Sequence, residues 1–316
     1  MRIIAGWDIG GTKCAVVLAR LDGDRPVFLG RKAFATPPNW QNTLERCRDL
    51  TLALLEEQHL RLRELFGVGV SCGGPLDSKS GIVLSPPNLP GWDKVPVTQW
   101  IERCLQVPAK LRNDADACAA AEWQFGAGRG CRNMIFLTFG TGLGAGLILD
   151  GKLFTGASDS AGELGHWRME EEGPVGYGKA GSLEGFCSGS GLAKTALLHF
   201  RDYPDSLLTE ACRRGEVTAR QIAEAARAGD IFAKKLMEDC GTMFGRAMSL
   251  VIDLLNPERI VAGGVFMRAH DLILPTAWGV IERETLPQNR ESCQILPSEL
   301  GEQIGDYGAI AAFTMS

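Results

Sequence analysis

The chain has 316 residues, 45% of them hydrophobic and 22% charged, with a net charge of −5. That is the composition of a globular enzyme with room for two domains. The acidic balance, with no cluster of Lys and Arg, excludes nucleic acid as the main partner, and no apolar run is long enough to span a membrane.

Ile3 to Leu18 reads as an apolar strand, a glycine turn and a second apolar strand. Leu44, Cys47, Leu50 and Leu54 fall on one face of a helix. Phe66 to Val70 reads as a buried strand, and a Pro-rich loop runs from Ser85 to Trp92. Ala109 to Arg112 is a short strand that runs into Asn113-Asp114, and Ala115 to Gln124 is a strong helix former. Met134 to Leu149 repeats the strand, glycine turn and strand, about one domain length after the first, which suggests a duplicated architecture. Phe232, Leu236, Cys240, Met243, Ala247, Leu250 and Leu254 are expected on the core face of a long helix stopped by Asn256-Pro257. Arg259 to Ala262 is a strand ending in Gly263-Gly264. Alternation of this kind indicates an α/β protein with layered sheets. The ten cysteines include no C-x-x-C pair; they read as free thiols in a reducing cytoplasm, not as a disulfide framework. No signal sequence is expected ahead of Asp8.

Phosphate groups need backbone N–H donors at close range, and glycine permits the approach. Gly10-Gly11-Thr12-Lys13 and Gly140-Thr141-Gly142-Leu143-Gly144 each offer such a loop with a Thr hydroxyl beside it. Either loop alone reads as a tight hairpin; the pair is more telling. Asp8 would stand where Mg²⁺ could be held through water, or is an ordinary turn carboxylate. Gly146 to Lys152 and Gly173 to Lys179 fit G-x-x-x-x-G-K but lack the following Ser or Thr of a P-loop. A hydroxyl becomes a nucleophile when a base takes its proton in the transition state. Asp114 sits where a strand enters a helix, so it is either that base or an N-cap. Asp116 reads as a helix-terminus carboxylate. Glu163 and His166, three residues apart and flanked by glycines, could hydrogen-bond sugar hydroxyls, and Glu184 follows another glycine-rich stretch.

Asp8-Ile9-Gly10-Gly11-Thr12-Lys13, Asn113-Asp114, Gly140 to Gly144, Gly162-Glu163-Leu164-Gly165-His166 and Val261-Ala262-Gly263-Gly264 occur in that order. Together they resemble the ROK family (repressors, open reading frames and kinases) over nearly the whole chain. The resemblance implies two actin-like, ribonuclease-H-like domains with a cleft between them, 1–112 plus 298–316 and 113–297. It implies an ATP-dependent sugar kinase acting on a hydroxyl, the 6-hydroxyl, of a hexose or N-acetylhexosamine. Asp114 would be the base, with Asn88, Asn113, Glu163, His166 and Glu184 on the sugar. The glycine hairpins would hold the phosphates, with Mg²⁺ held mainly by the nucleotide, and Gly263-Gly264 would lie near the adenosine. A homodimer is expected. Many members carry three cysteines that join the His of the G-H motif on zinc; here Val175, Tyr177 and Ser182 stand at those positions. We therefore expect no zinc, with packing by Tyr177 and Phe186 in its place. Asp116, where the family often has Asn, is expected to raise the pKa of Asp114 unless it faces solvent. Only seven residues precede Asp8, so the helix-turn-helix of the family's repressors is not expected. The rival readings are a non-catalytic sugar-binding regulator on the same fold and a kinase with another donor, such as polyphosphate. The loop from Gly73 to Trp92 is expected to decide whether an acetamido group fits.

Overall fold

A computed structural model describes every residue except 1, 24 and 316. The chain packs as two compact units: residues 1–132, 146–161 and 299–316 form one, and residues 133–145 and 162–298 the other.

In the first unit β1 (Arg2–Ile9), β2 (Lys13–Leu21) and β3 (Pro26–Ala35) form an antiparallel meander. After helix α1 (Trp40–Glu57), capped by Asn39, β4 (Leu65–Cys72) lies parallel to β1. A small sheet of β5 (Leu76–Asp77), β6 (Ile82–Val83) and β7 (Val95–Pro96) leads to α2 (Val97–Leu105), β8 (Ala109–Asn113) and α3 (Asp114–Phe125). The main sheet has the order β3-β2-β1-β4-β8. Alternate residues of β1 serve opposite cores. Ile3, Ala5, Trp7 and Ile9 pack with the buried face of α1, while Ile4 packs with Ile310 and Phe313 near the C-terminus. A strand covered on both faces reads as a near-continuous apolar run, which is why Ile3 to Trp7 shows no polar alternation. Trp7 Nε1, placed in the core by this, donates to Thr51 Oγ1 at 2.9 Å.

A second five-stranded sheet contains β9 (Met134–Leu137), β10 (Ala145–Leu149) and β11 (Lys152–Phe154). A short hairpin, β12 (Val175–Gly176) and β13 (Lys179–Ala180), precedes the helices α4 (Leu183–Phe186), α5 (Gly189–His199), α6 (Thr209–Arg214), α7 (Ala219–Arg227) and α8 (Ile231–Leu255). Then follow β14 (Arg259–Ala262), α9 (Gly264–Glu284), α10 (Pro287–Ser292) and β15 (Gln294–Pro297). The strand order is β11-β10-β9-β14-β15, with β14 parallel to β9 and β15. In each sheet the third, second, first, fourth and fifth strands to appear lie side by side, the same topology twice. The chain ends in α11 (Ile304–Thr314), which packs on β1, β4 and α3.

The face expected for α8 is only half right. Phe232, Leu236, Cys240 and Ala247 are buried, but Leu250 and Leu254 are 57% and 74% exposed, and Val251 and Ile252 are buried in their place. The 9-residue α7 and the 25-residue α8 pack together. At 1.5 Å per residue α7 covers only part of that length, and α9 also packs on α8.

Candidate active site

The residues singled out in the sequence fall into two sets, one per unit. In the first unit Gly10, Gly11 and Thr12 make the turn between β1 and β2, with Lys13 opening β2. Gly10 N donates to Lys13 O at 3.2 Å, Thr36 Oγ1 donates to Gly10 O at 2.6 Å, and Thr36 N donates to Thr12 O at 3.1 Å. The amides of Gly11 and Thr12 take no part in these bonds. Gly11 lies against the backbone of Asn88: a Cβ there would meet Asn88 O at 2.4 Å. Only glycine allows that approach, so the structure brings Asn88 to the turn.

Asp8 precedes this turn and is partly buried. A Cβ on Gly305 would come within 2.7 Å of its Oδ2, and the Ser71 side chain hydrogen-bonds to its carboxylate. Burial, then the charges of Asp114 and Asp306, push its pKa from 3.8 up to about 6, against the pull of Arg31. Arg31 Nε in turn donates to Asp306 Oδ2 at 2.7 Å. Asn113 caps α3: its Oδ1 accepts from Ala115 N at 2.9 Å. Asp114 is therefore the first residue of the helix and not its cap, although its Oδ1 shares the Ala115 amide at 2.8 Å. Its carboxyl reaches solvent but stands among protein atoms that displace much of its water, and this loss of hydration raises its pKa. Asp116 is buried; the rise at Asp114 comes first from desolvation, countered by backbone N–H donors.

In the second unit the turn between β9 and β10 closes in a related way. Gly140 N donates to Gly142 O at 2.9 Å, Thr138 N to Gly144 O at 3.0 Å, and Gly144 N to Thr138 Oγ1 at 2.9 Å. The amides of Thr141 and Gly142 take no part. The start of α5 holds the tip: Gly189 N donates to Gly140 O at 2.8 Å and Ser190 Oγ to Thr141 O at 2.7 Å. Glu184 Oε2 accepts from Leu143 N at 3.0 Å. The glycines flanking Glu163 and His166 are explained by the same turn. A Cβ on Gly162 would lie 2.1 Å from Ala145 O, and one on Gly165 would lie 2.0 Å from Leu143 O. Glu163 and His166 thus ride on a segment pressed against the glycine turn, and His166 N donates to Glu163 O at 3.1 Å. Both side chains are exposed and line an open groove of about 640 Å³ with Trp167, Met169, Lys179 and Leu250. Gly263 N donates to Leu137 O at 2.9 Å and Val265 N to Phe139 O at 2.7 Å, which sets Gly263-Gly264 beside the end of β9.

Tyr177 and Ser182, two of the three positions expected to replace zinc ligands, make contacts of their own. The Tyr177 ring meets the His166 ring edge-on at 6.2 Å. The buried Ser182 hydroxyl accepts from Gly176 N and Gly185 N, each at 3.2 Å, and so ties the β12–β13 hairpin to α4. Phe186 lies against Gly173 in the loop before that hairpin. Thr36, Ser190, Arg31 and Asp306 were not singled out in the sequence. A Ser-Gly-Ser-Gly run opening a helix could have signalled Ser190; nothing local marks the others.

Two sheets of one topology, each with a glycine turn between its first two strands, define an actin-like two-domain α/β protein. The chain belongs to the ROK family, whose model matches residues 4–315. A glucokinase of Thermotoga maritima is 30% identical over 308 residues, 97% of this chain and 95% of that protein. The crystal structure of a ROK family glucokinase from Streptomyces griseus, in complex with glucose and AMPPNP, is similar with a TM-score of 0.77 and 29% identity, covering 97% of each chain. The DNA-binding transcriptional dual regulator NagC of Escherichia coli is 28% identical over 292 residues, 91% of this chain and 69% of that protein.

Proposed function

We propose that this chain is an ATP-dependent sugar kinase that phosphorylates a hydroxyl, the 6-hydroxyl, of a hexose such as glucose or of an N-acetylhexosamine. The observation that carries the reading is Asp114. It is an accessible carboxylate at the first turn of α3 whose Oδ1 accepts from Ala115 N, and desolvation raises its pKa, the direction that favours a general base. In the proposed reaction Asp114 takes the proton of the sugar hydroxyl as that oxygen attacks the γ-phosphorus and ADP departs. Little else is asked of the protein than positioning and charge neutralisation. Asn88, Asn113, Glu163, His166 and Glu184 would hold the sugar, and Gly263-Gly264 the adenosine. The amides of Gly11, Thr12, Thr141 and Gly142 suit phosphate oxygens because the turns do not consume them.

The charge of Asp114 raises the cost of ionising Asp8, and a divalent cation would relieve that repulsion. The residues therefore fit Mg²⁺ carried by the nucleotide, with Asp8 reaching it through water; the ion would neutralise phosphate charge. We propose further that the protein works without zinc, since Tyr177 and Ser182 already bind the β12–β13 hairpin by other contacts. A cytoplasmic homodimer fits ten cysteines with no disulfide among the described residues and the prevalence of dimers among soluble enzymes.

ADP release measured over glucose, mannose, fructose, allose, N-acetylglucosamine and N-acetylmannosamine tests the proposal. Sugar-dependent turnover is expected. The similarity to NagC favours the rival reading, a sugar-binding regulator. Sugar binding by calorimetry with no turnover from ATP or polyphosphate would establish that rival. Stoichiometric zinc in the purified protein would overturn the zinc-free pocket.

A further inference from the structure

The segment between β11 and Glu163 carries an unusual backbone. Asp159 has φ +52°, a left-handed conformation that costs an L side chain energy and persists when something holds it. Its carboxylate is what is held: Oδ2 accepts from Ser78 N at 2.7 Å and Oδ1 from Ser78 Oγ at 3.0 Å. Both residues belong to the first unit.

The partner is presented by a stiff turn. Asp77 Oδ1 accepts from Lys79 N and Ser80 N, each at 3.0 Å, and Gly81 N closes on Asp77 O at 2.9 Å. Those amides are used locally, and the Ser78 amide is the one turned toward Asp159. Gly81 is itself packed so closely that a Cβ would overlap Thr98. This turn joins β5 to β6, and the loop after β6 carries Asn88. On the other side, Ala161 N donates to Thr155 O at 3.1 Å and Ser160 Oγ to Ser158 O at 3.1 Å. Residues 155–161 therefore form one tied turn, and gripping Asp159 holds all of it. Two residues after this turn ends comes Glu163, and then His166.

We propose that the Asp159–Ser78 clasp is a substrate-positioning device. It ties the 155–161 turn, from which the chain leads into Glu163, to the turn between β5 and β6, and so tightens sugar binding without touching the sugar. The inference rests on the proposed sugar site but not on catalysis. Asp159 and Ser78 are positioning residues.

The test separates fit from folding, because Asp159→Gly breaks the clasp while suiting the left-handed backbone better than aspartate does. Glucose binding by calorimetry, KM for glucose, KM for ATP and amide exchange of residues 160–166 are compared in the parent, Asp159→Gly, Asp159→Asn and Ser78→Ala. Asp159→Gly is expected to keep the parent's melting temperature, weaken glucose binding and raise its KM about ten-fold. It should speed exchange in 160–166, with kcat and the KM for ATP unchanged. Asp159→Asn, which tolerates φ above zero and keeps one acceptor, should recover most of the loss. Ser78→Ala, which keeps the amide donor, should lose about three-fold. Unchanged glucose affinity and exchange in Asp159→Gly would overturn the proposal, as would an equal rise in both KM values. A parent that binds glucose without turning it over would sink the kinase reading, while calorimetry and exchange would still decide the clasp.

Discussion

The two glycine turns share a topology and differ in what braces them. Each closes on the amide of its first glycine and leaves the next two amides out of the closure. The first is braced by neutral groups, the Thr36 hydroxyl and the backbone at Asn88. Acid is gathered beneath it in Asp8, Asp114 and Asp306, with Arg31 as counter-charge. The second is braced by a carboxylate, Glu184, and by the hydroxyl and amide donors that open α5. Duplicated backbone therefore carries divided chemistry. One unit holds carboxyls that are costly to ionise and able to take a proton; the other holds a turn fixed by its own acid and its own donors.

The largest effect should come from glycines under the second turn. Gly162 has φ +89° and its Cβ would strike Ala145 O at 2.1 Å. Gly162→Ala should destabilise the protein by about 3–5 kcal/mol. Gly11→Ala meets Asn88 O at 2.4 Å without the positive φ of Gly162, and should cost about 1–3 kcal/mol. Chemical denaturation of both variants checks this; the reverse order would mean that the first turn is the rigid one.

Next is the acid cluster. The folded pKa of Asp8 lies above its unfolded value, at about 6 against 3.8. The folded protein therefore binds the proton more tightly, and stability falls as pH rises from about 4 to 6, by up to about 3 kcal/mol. Asp8→Asn should melt higher than the parent at pH 7.5 and show little advantage at pH 4. Equal melting temperatures at pH 7.5 would remove the charge asymmetry between the turns. Glu184→Gln, which keeps an acceptor for Leu143 N, should cost under about 1 kcal/mol, and Glu184→Ala about 1–2 kcal/mol. A larger loss for Gln than for Ala would show that Glu184 does not brace the turn. The smallest effect is expected at Leu254, 74% exposed: Leu254→Lys should shift stability by no more than about 0.5 kcal/mol.

The sequence made the hairpins legible because glycines between apolar runs have few other uses, and the α3 entry legible because Asn113-Asp114 separates a strand pattern from a helix pattern. Side-chain pairing across the chain left no local trace. Arg31 and Asp306 are 275 positions apart, and Asp159 meets Ser78 across 81, so neither contact follows from spacing. The α8 stripe drifted because periodicity reveals that a face is apolar, not how far each neighbouring helix reaches along it.

The assignment of proton transfer to Asp114 is tested most directly by the kcat of Asp114→Asn. Asparagine preserves the acceptor for Ala115 N and removes the base. With glucose and ATP saturating, kcat should fall by about 10²–10⁴ while the glucose dissociation constant stays within two-fold of the parent. Turnover retained within ten-fold, at an unchanged melting temperature, would contradict Asp114 as the base.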